Sequence, residues 1–225
     1  IFLTSANSIN VARWIPQQLF YFLAYRHWPK ELADPVVSIP SGNFGNICAG
    51  LLAKKSGLPI KKFIAACNEN DVVPRFLEHG KFEIKNTFHT ISNAMDVGSP
   101  SNFVRMQILS GGVLEEIQQV VKGYFTDDVL TKKRMSEVYE KTGYIMCPHT
   151  AVGYDGLLQY KKENGEKVSG VVLSTAHYAK FLPTVEAVIG GKVPVPLRLS
   201  ELLDKQKKSI LLGTDFEGFK KFLLD

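Results

Sequence analysis

Two kinds of hydrophobic pattern alternate along the chain. Short apolar runs bounded by polar or turn residues predict buried strands at 36–39, 60–66 and 168–173. Between and after them, apolar residues recur three or four positions apart, which predicts helices at 46–56, 71–77, 114–124, 131–141, 149–162 and 178–189. Strands that alternate with helices favour right-handed crossovers and a mainly parallel sheet covered on both faces. The predicted fold class is therefore α/β, with three αβα layers.

Two regions interrupt this alternation. The consecutive helical patterns at 114–124 and 131–141 predict a helical insertion within residues 98–142. A proline-rich link at Pro194 and Pro196 leads into a C-terminal extension, residues 193–225, with one further helix near 217–223. A short extended piece is also expected at 82–88. We therefore expect one main α/β domain with these additions.

Composition and charge exclude several classes of protein. The 225 residues are 45% hydrophobic and 22% charged, and no apolar run approaches the roughly 20 residues that span a bilayer. The net charge of +5 comes from basic residues without interleaved aromatics, so we expect no nucleic-acid surface and no membrane partner. The three cysteines are far apart without a CxxC, and the five histidines lack ligand spacing. We therefore expect a cytoplasmic protein with buried thiols and no bound metal.

The segment Pro40-Ser41-Gly42-Asn43-Phe44-Gly45-Asn46 separates the first predicted strand from the next helix. In an α/β sheet, ligands bind beyond the carboxyl ends of the strands, where this loop must lie. Gly42 and Gly45 can adopt positive φ and admit an anion, and the N–H groups of residues 44–47 would point outward at the positive end of the helix. The spacing matches neither GxGxxG nor a Walker A loop. We interpret the loop as a phosphate cradle; a tight turn without a ligand is the alternative.

This loop is one of four stretches that match a single family in order. The other three are Asn7-Ser8-Ile9-Asn10 with Arg13 behind it, Ser92-Asn93-Ala94-Met95-Asp96-Val97 followed by Pro100-Ser101-Asn102, and Ser174-Thr175-Ala176-His177 with Lys180-Phe181. Together they resemble the bacterial and fungal branch of the threonine synthases, pyridoxal-phosphate enzymes of the tryptophan-synthase-β-like fold (fold type II). Each stretch alone is a weak match, but the combination extends over most of residues 1–190 and is specific.

The resemblance implies a binding site for pyridoxal 5′-phosphate. The cofactor phosphate would be held by the loop residues Gly42, Asn43, Phe44, Gly45 and Asn46. Thr175 would face the pyridine nitrogen, and a neutral hydroxyl there leaves that nitrogen largely unprotonated. The neighbouring Ser174 is the alternative for this contact, and both residues could instead only cap the next helix.

The resemblance also implies a second phosphate site, for the substrate, at Asn7, Ser8 and Arg13. From the residues alone, Asn7 or Ser8 is a natural N-cap for the following helix, and Arg13 could form only a surface salt bridge. The apolar residues of that helix are at helical spacing, and Pro16 predicts a kink or restart: Val11, Ile15, Leu19 and Leu23.

The lysine that forms the Schiff base in this family lies upstream of the Asn-Ser-Ile-Asn segment, outside the sequence, so we assign no catalytic residue here. Lys180 has no such role in the family. Because the chain begins at Ile1 with a strand-like pattern, we expect it to be the C-terminal part of a longer enzyme and to be inactive without the N-terminal part. Four other polar residues are left out of the predicted site as structural: Asn93, Asp96, His149 and His177.

The resemblance implies that the full-length enzyme is a carbon–oxygen lyase. It would convert O-phospho-L-homoserine and water into L-threonine and phosphate, the last step of threonine biosynthesis. One alternative is another lyase of the same fold, such as a serine or threonine dehydratase, whose substrate carries no phosphate. The other is a non-catalytic relative that binds a phosphorylated ligand.

Overall fold

The computed structural model describes residues 7–165, 167–203, 205–206 and 208–225. The strand-like start at Ile1-Phe2-Leu3 lies outside the described residues. The chain forms two compact units, which adjoin in sequence at Val193 and Pro194.

A four-stranded parallel sheet forms the centre of the first unit. Its strands are β1 (Val36–Pro40), β2 (Lys62–Cys67), β3 (Val121–Phe125) and β4 (Gly170–Val172), in the order β3-β2-β1-β4. Val37 of β1 pairs with Phe63 of β2 on one side and with Val171 of β4 on the other. All five residues of β1 are buried, as expected for a central strand covered on both faces.

Helices cover both faces of this sheet. In chain order they are α1 (Trp14–Arg26), α2 (Gly45–Lys55), α3 (Val72–His79), α4 (Phe103–Leu109), α5 (Leu114–Val120), α6 (Asp128–Thr142), α7 (Pro148–Asn164) and α8 (Leu182–Ile189). Short 3-10 turns are found at Val11–Arg13, Asn93–Met95 and Tyr178–Phe181.

Successive residues of β1 point to two different hydrophobic clusters. Val36 packs with Val152 and Leu157 of α7 on one face. Val37 and Ile39 belong to the larger cluster on the opposite face, which includes residues of α1, α2 and α3. This alternation is the period of two of a strand, and it confirms the predicted three-layer αβα architecture.

The predicted helix at 114–124 is wrong in its second half. The helix ends at Val120, and residues 121–125 form β3, which pairs with β2 from Phe63↔Val121 to Cys67↔Phe125. Gly123 is a poor helix former, and the backbone pairing with β2 outweighs the helical spacing of the apolar residues. Residues 98–142 therefore contribute a strand to the main sheet as well as three helices. Residues 82–88, expected to be extended, have irregular structure.

The first helix buries a different face from the one that its apolar spacing indicates. The predicted apolar positions are exposed: Val11, Ile15, Leu19 and Leu23. Trp14 and Tyr21 are buried instead, and the Tyr21 hydroxyl donates a hydrogen bond to the carbonyl of Asn46 at the start of α2 (2.5 Å). Pro16 lies in the first turn of α1, where the N–H that proline lacks has no helical acceptor, so it breaks no helical hydrogen bond.

The second unit contains two helices, α9 (Leu197–Leu203) and α10 (Phe216–Leu224). The sequence predicted α10 but not α9. Asp215 caps α10, because its carboxylate accepts a hydrogen bond from the N–H of Gly218 (2.7 Å). In the part of the chain that the structure describes, no helix is long and apolar enough to cross a membrane.

Candidate functional site

The loop between β1 and α2 contains one strained residue. Phe44 has φ = 61° and ψ = 9°, the left-handed conformation, and is the only non-glycine residue with positive φ in the described ranges. It is 3% exposed, so the surrounding packing holds it in this conformation. Gly42 and Gly45, which were expected to use their freedom to adopt positive φ, do not adopt it.

Gly42 and Gly45 are required because other segments approach them closely. A Cβ atom on Gly42 would lie 2.6 Å from the Cα of Met95, and one on Gly45 would lie 2.8 Å from the Cβ of Ser8. These are distances that real Cβ atoms do not reach. The two glycines therefore bring the loop into contact with the 92–97 and 7–10 segments, both of which the sequence analysis singled out.

The two asparagine side chains brace the loop. Asn46 Nδ2 donates to the carbonyl of Pro40 (2.8 Å), and its Oδ1 accepts from the hydroxyl of Ser41 (3.1 Å). Asn43 Nδ2 donates to Ser8 Oγ (2.9 Å), and its Oδ1 accepts from the backbone N–H of Ser101 (2.7 Å). Their amide groups are therefore engaged by the protein and fix the shape of the loop.

The backbone N–H groups of Asn43, Phe44, Gly45 and Asn46 have no acceptor within the described residues. They lie at the N-terminus of α2, an 11-residue helix whose dipole favours negative charge there. Ile47, which the sequence analysis included among the outward-facing donors, instead donates its N–H to Asn46 Oδ1 (2.9 Å). Four free amides at a helix start match the chemistry of an anion site.

Seven residues of the predicted site meet in one cavity. The cavity has a volume of about 290 Å³, and its walls include Ser8, Thr175 and the whole loop from Gly42 to Asn46. A second, more apolar cavity of about 480 Å³ shares Gln17, Asn46 and Thr175 with the first. The fold thus brings together the carboxyl ends of β1 and β4, because these two strands are neighbours in the sheet.

Thr175 and Ser174 follow β4 and differ in their hydrogen bonds. The Ser174 hydroxyl is hydrogen-bonded to the hydroxyl of Thr150 on α7 (2.9 Å). For the Thr175 hydroxyl, no partner is found among the described residues, and Thr175 lines both cavities. Thr175 is therefore the residue of the two whose hydroxyl is available to a ligand.

The segment at Asn7–Arg13 reaches the cavity only through Ser8. The Ser8 hydroxyl donates to Asn7 Oδ1 (3.2 Å), so Asn7 lies next to it but outside the cavity wall. Arg13 lies on the exposed 3-10 turn and is not part of the wall either. Asn10, rather than Asn7 or Ser8, caps that turn, since its Oδ1 accepts from the N–H of Ala12 (3.1 Å).

Several wall residues were not predicted: Gln17, Ala94, Met95, His149, Ala176, Lys180 and Phe181. Most of them lie in the stretches that carry the family resemblance, so their position near the site could have been inferred from that resemblance. Gln17 and His149 lie outside those stretches, so the resemblance did not indicate their position. Asn102 was likewise missed as a bracing residue; its Nδ2 donates to Ser8 Oγ (3.3 Å), and its Oδ1 accepts from Arg105 (2.8 Å).

Two polar residues left out of the predicted site form hydrogen bonds that organise local structure. His177 caps the 3-10 turn that begins at Tyr178, because its Nδ1 accepts from the N–H of Ala179 (3.1 Å). Asp96 accepts hydrogen bonds from Asn68 Nδ2 (2.8 Å) and Thr90 Oγ1 (2.7 Å) in a network that shapes the 88–98 segment.

The cysteines near the site are buried and unreactive. Burial raises the pKa of Cys48 to about 12 and raises the pKa of Cys67 strongly. Cys67 Sγ donates a hydrogen bond to the carbonyl of Ser41 (3.3 Å) and so helps to fix the start of the loop. Thiols protonated at neutral pH are poor nucleophiles, so Cys48 and Cys67 are not suited to nucleophilic chemistry.

Comparison with known proteins gives one consistent family. Residues 150–223 match the family model described as "Threonine synthase, C-terminal". Threonine synthase of Escherichia coli (strain K12) is 44% identical over 225 residues, covering 99% of this chain and 51% of that protein. The crystal structure of the Escherichia coli enzyme has a TM-score of 0.91 at 42% identity, again over 99% of this chain and 51% of that one.

Two further solved structures extend the comparison. PLP-bound threonine synthase from Brucella melitensis has a TM-score of 0.82 and 30% identity, covering 98% of this chain and 52% of that one. Maize serine racemase has a TM-score of 0.53 at 16% identity, over 76% of this chain and 52% of that one, which shows a shared fold alone.

The parallel sheet, together with a loop of free amides at its carboxyl edge, defines the architecture of the fold-type-II pyridoxal-phosphate enzymes. Within that class, the chain belongs to the threonine synthase family and corresponds to its C-terminal region. It spans about half the length of the curated relatives it matches.

Proposed function

We propose that the full-length protein containing this chain is a threonine synthase, a pyridoxal-phosphate-dependent carbon–oxygen lyase. It converts O-phospho-L-homoserine and water into L-threonine and phosphate. The observation that carries this proposal is a single cavity lined by Ser8, Thr175 and the loop, in which the Thr175 hydroxyl and the N–H groups of residues 43–46 have no partner among the described residues. The similarity to threonine synthases over 99% of the chain supports the choice of reaction.

The chain's own residues fit the cofactor. The amides of Asn43 to Asn46 donate to the cofactor phosphate, whose charge is also stabilised by the N-terminus of α2. Thr175 would meet the pyridine nitrogen as a neutral partner, which would keep that nitrogen largely unprotonated. When bound, pyridoxal phosphate supplies an electron sink that lets protons leave the α and β carbons of the substrate. The relative described as PLP-bound supports this assignment.

The second phosphate site, for the substrate, is formed around Ser8 with Asn7 and Arg13. Ser8 Oγ is held by hydrogen bonds with Asn7, Asn43 and Asn102. Because Asn43 belongs to the cofactor loop, this bond ties the two phosphate sites together. Asn7, which adjoins Ser8 along the chain, and Arg13, on the 3-10 turn that follows, would contribute to the substrate site from outside the cavity wall.

The lysine that anchors the cofactor belongs to the rest of the polypeptide, which is therefore the chain's obligatory partner. Lys180 lines the cavity, and we assign it to the anion rather than to cofactor attachment. By itself the chain has no activity. The buried, unpaired thiols favour the reducing environment of the cytoplasm.

The test is to incubate the full-length protein with O-phospho-L-homoserine and to measure phosphate and L-threonine in the same reaction. We expect equal amounts of the two products, and no product after removal of the cofactor. A protein that holds the cofactor but releases no phosphate would contradict the proposal. It would favour a dehydratase-like lyase or a non-catalytic relative that binds a phosphorylated ligand.

A further inference from the structure

His149 is a buried side chain with one unexplained polar atom. It is the second residue of α7 and is 2% exposed. Its Nε2 accepts a hydrogen bond from the backbone N–H of Ala94 (3.2 Å). An acceptor nitrogen carries no proton, so this bond assigns the imidazole proton to Nδ1. Nδ1 is buried and has no partner among the described residues.

The position of His149 makes this unpaired donor informative. His149 is among the residues that line the same cavity as the loop, Thr175 and Lys180. Buried polar groups in native proteins are almost always hydrogen-bonded, so a buried N–H without a described acceptor, on a residue that lines a cavity, indicates a partner outside the described residues. Burial lowers the pKa of His149 to about 4, so at neutral pH the ring is uncharged and offers one N–H.

We propose that His149 is a ligand-binding residue whose Nδ1–H donates a hydrogen bond to an oxygen of the anionic ligand in this cavity. The identity of that ligand rests on the proposed function: the oxygen belongs either to pyridoxal phosphate or to O-phospho-L-homoserine. The bond from Ala94 orients the ring and fixes the tautomer, so α7 contributes a neutral donor to the residues that line this cavity. His149 thereby selects a ligand by an acceptor oxygen without adding charge to the site.

Two substitutions test the roles of the two nitrogens of His149 separately. His149→Asn places an amide N–H near the position of Nδ1 and loses the acceptor at Nε2. His149→Gln places an amide oxygen near the position of Nε2, where it can accept from Ala94, and loses the donor at Nδ1. If Nδ1–H binds the ligand, His149→Gln weakens binding about tenfold or more, whereas His149→Asn stays within about threefold of the wild type.

The measurement uses the full-length protein and two probes. The dissociation constant of pyridoxal phosphate is read from its absorbance, and KM and kcat are measured for O-phospho-L-homoserine. A loss confined to the dissociation constant assigns the oxygen to the cofactor, and a loss confined to KM assigns it to the substrate. Normal values for His149→Gln would overturn the proposal, because holding Ala94 would then be the only role of the ring.

Nitrogen-15 NMR of histidine-labelled protein gives a readout independent of activity. The signal of His149 is identified by its absence in His149→Gln, and we expect Nδ1 to carry the proton and to shift when the probe is added. Both variants could bind poorly, and the wild-type signal then decides. A shift of the His149 signal when the probe is added supports the proposal, and an unchanged signal overturns it. If the wild type neither binds pyridoxal phosphate nor releases phosphate, the proposed function fails, and the same titration with inorganic phosphate still tests His149.

Discussion

At the scale of single residues, the loop after β1 divides its work between side chains and backbone. The amide side chains of Asn43 and Asn46 are hydrogen-bonded to neighbouring segments, whereas the backbone N–H groups of residues 43–46 have no acceptor among the described residues. Phe44 takes the left-handed conformation that would suit a glycine better, and strain of this kind is typical of binding sites. The glycines serve close packing instead.

Gly42→Ala tests this role of the glycine. The added methyl group would meet the backbone of Met95 at 2.6 Å, so either the loop or the 92–97 segment must move. We expect a loss of about 1–3 kcal/mol in the free energy of unfolding and weaker binding of pyridoxal phosphate, measured by urea unfolding and titration of the full-length protein.

Gly191→Ala is the matched control, because nothing lies within 4 Å of a Cβ there and its φ is not positive. It should change stability by less than about 0.5 kcal/mol. Equal stability and equal cofactor binding for the two variants would show that the contact between Gly42 and Met95 imposes no constraint.

Thr175 can be tested by removing its hydroxyl without changing its size. Thr175→Val is nearly isosteric, and we expect kcat to fall at least about tenfold while unfolding stability changes little, since the hydroxyl bonds no described residue. Thr175→Ser keeps the hydroxyl and should retain most of the activity.

Ser174→Ala should instead act on stability. It removes the bond to Thr150, so we expect a loss of about 1 kcal/mol with an unchanged absorbance spectrum of the bound cofactor. If Ser174→Ala altered the spectrum while Thr175→Val left it unchanged, the assignment of the pyridine contact to Thr175 would be wrong.

At the scale of secondary-structure elements, α6 and α7 are joined by an ion pair. Asp155 on α7 is fully buried, and it accepts hydrogen bonds from Arg134 Nε on α6 (2.6 Å) and from Thr126 Oγ1 (3.0 Å). This pair holds the helix that carries His149 and Thr150 against its neighbour. Removing the cation leaves a buried carboxylate without its charged partner, which is costly.

Arg134→Met should therefore destabilise the protein by about 2–4 kcal/mol, measured as the free energy of unfolding. Lys133→Met is the control on the same helix: the lysine is largely exposed and pairs with Glu137 at 3.8 Å, so we expect a change below about 0.5 kcal/mol. Similar losses for both variants would mean that the contact between α6 and α7 does not depend on the buried pair.

Most elements could be predicted from hydrophobic spacing, and the failures have two causes. Residues 36–39 and 149–162 were predicted close to their observed bounds, because a central strand and a long helix have strong periods. β3 was missed because its five residues continue the helical spacing of α5, and only the backbone of β2 makes them a strand. The short α9 had too weak a pattern to be recognised.

At the scale of the whole molecule, stability should depend on pH through His149. Its pKa is about 4 in the folded protein, and its ordinary value is 6.5. Burial is the main cause; Lys180 lowers the pKa further, and Asp96 opposes this. Between these two values the unfolded chain binds more protons than the folded one, so stability falls as the pH is lowered from 6.5 towards 4.

The comparison is urea unfolding of the full-length protein at pH 7 and pH 5. We expect the wild type to lose about 2 kcal/mol between these pH values through this histidine. His149→Gln has no titrating group there and should lose correspondingly less. Glu137 and Glu186, whose pKa values are lowered by Arg134 and Lys192 respectively, act at lower pH and are common to both proteins. An identical pH dependence of the two proteins would contradict this account.

The sequence by itself determined the class of fold and the family, and it singled out the loop at residues 40–46 as a candidate site. These are local properties of the sequence: the hydrophobic periods of strands and helices, the small residues after a buried strand, and the order of the motifs. Only the tertiary structure decided which groups are free. In the structure the Ser174 hydroxyl is hydrogen-bonded to Thr150, and the amide side chains of Asn43 and Asn46 are hydrogen-bonded to neighbouring segments. The Thr175 hydroxyl and the loop N–H groups have no partner among the described residues. It also brought His149 to the cavity. Hydrogen-bond partners distant in sequence depend on strand order and packing, which no local pattern encodes.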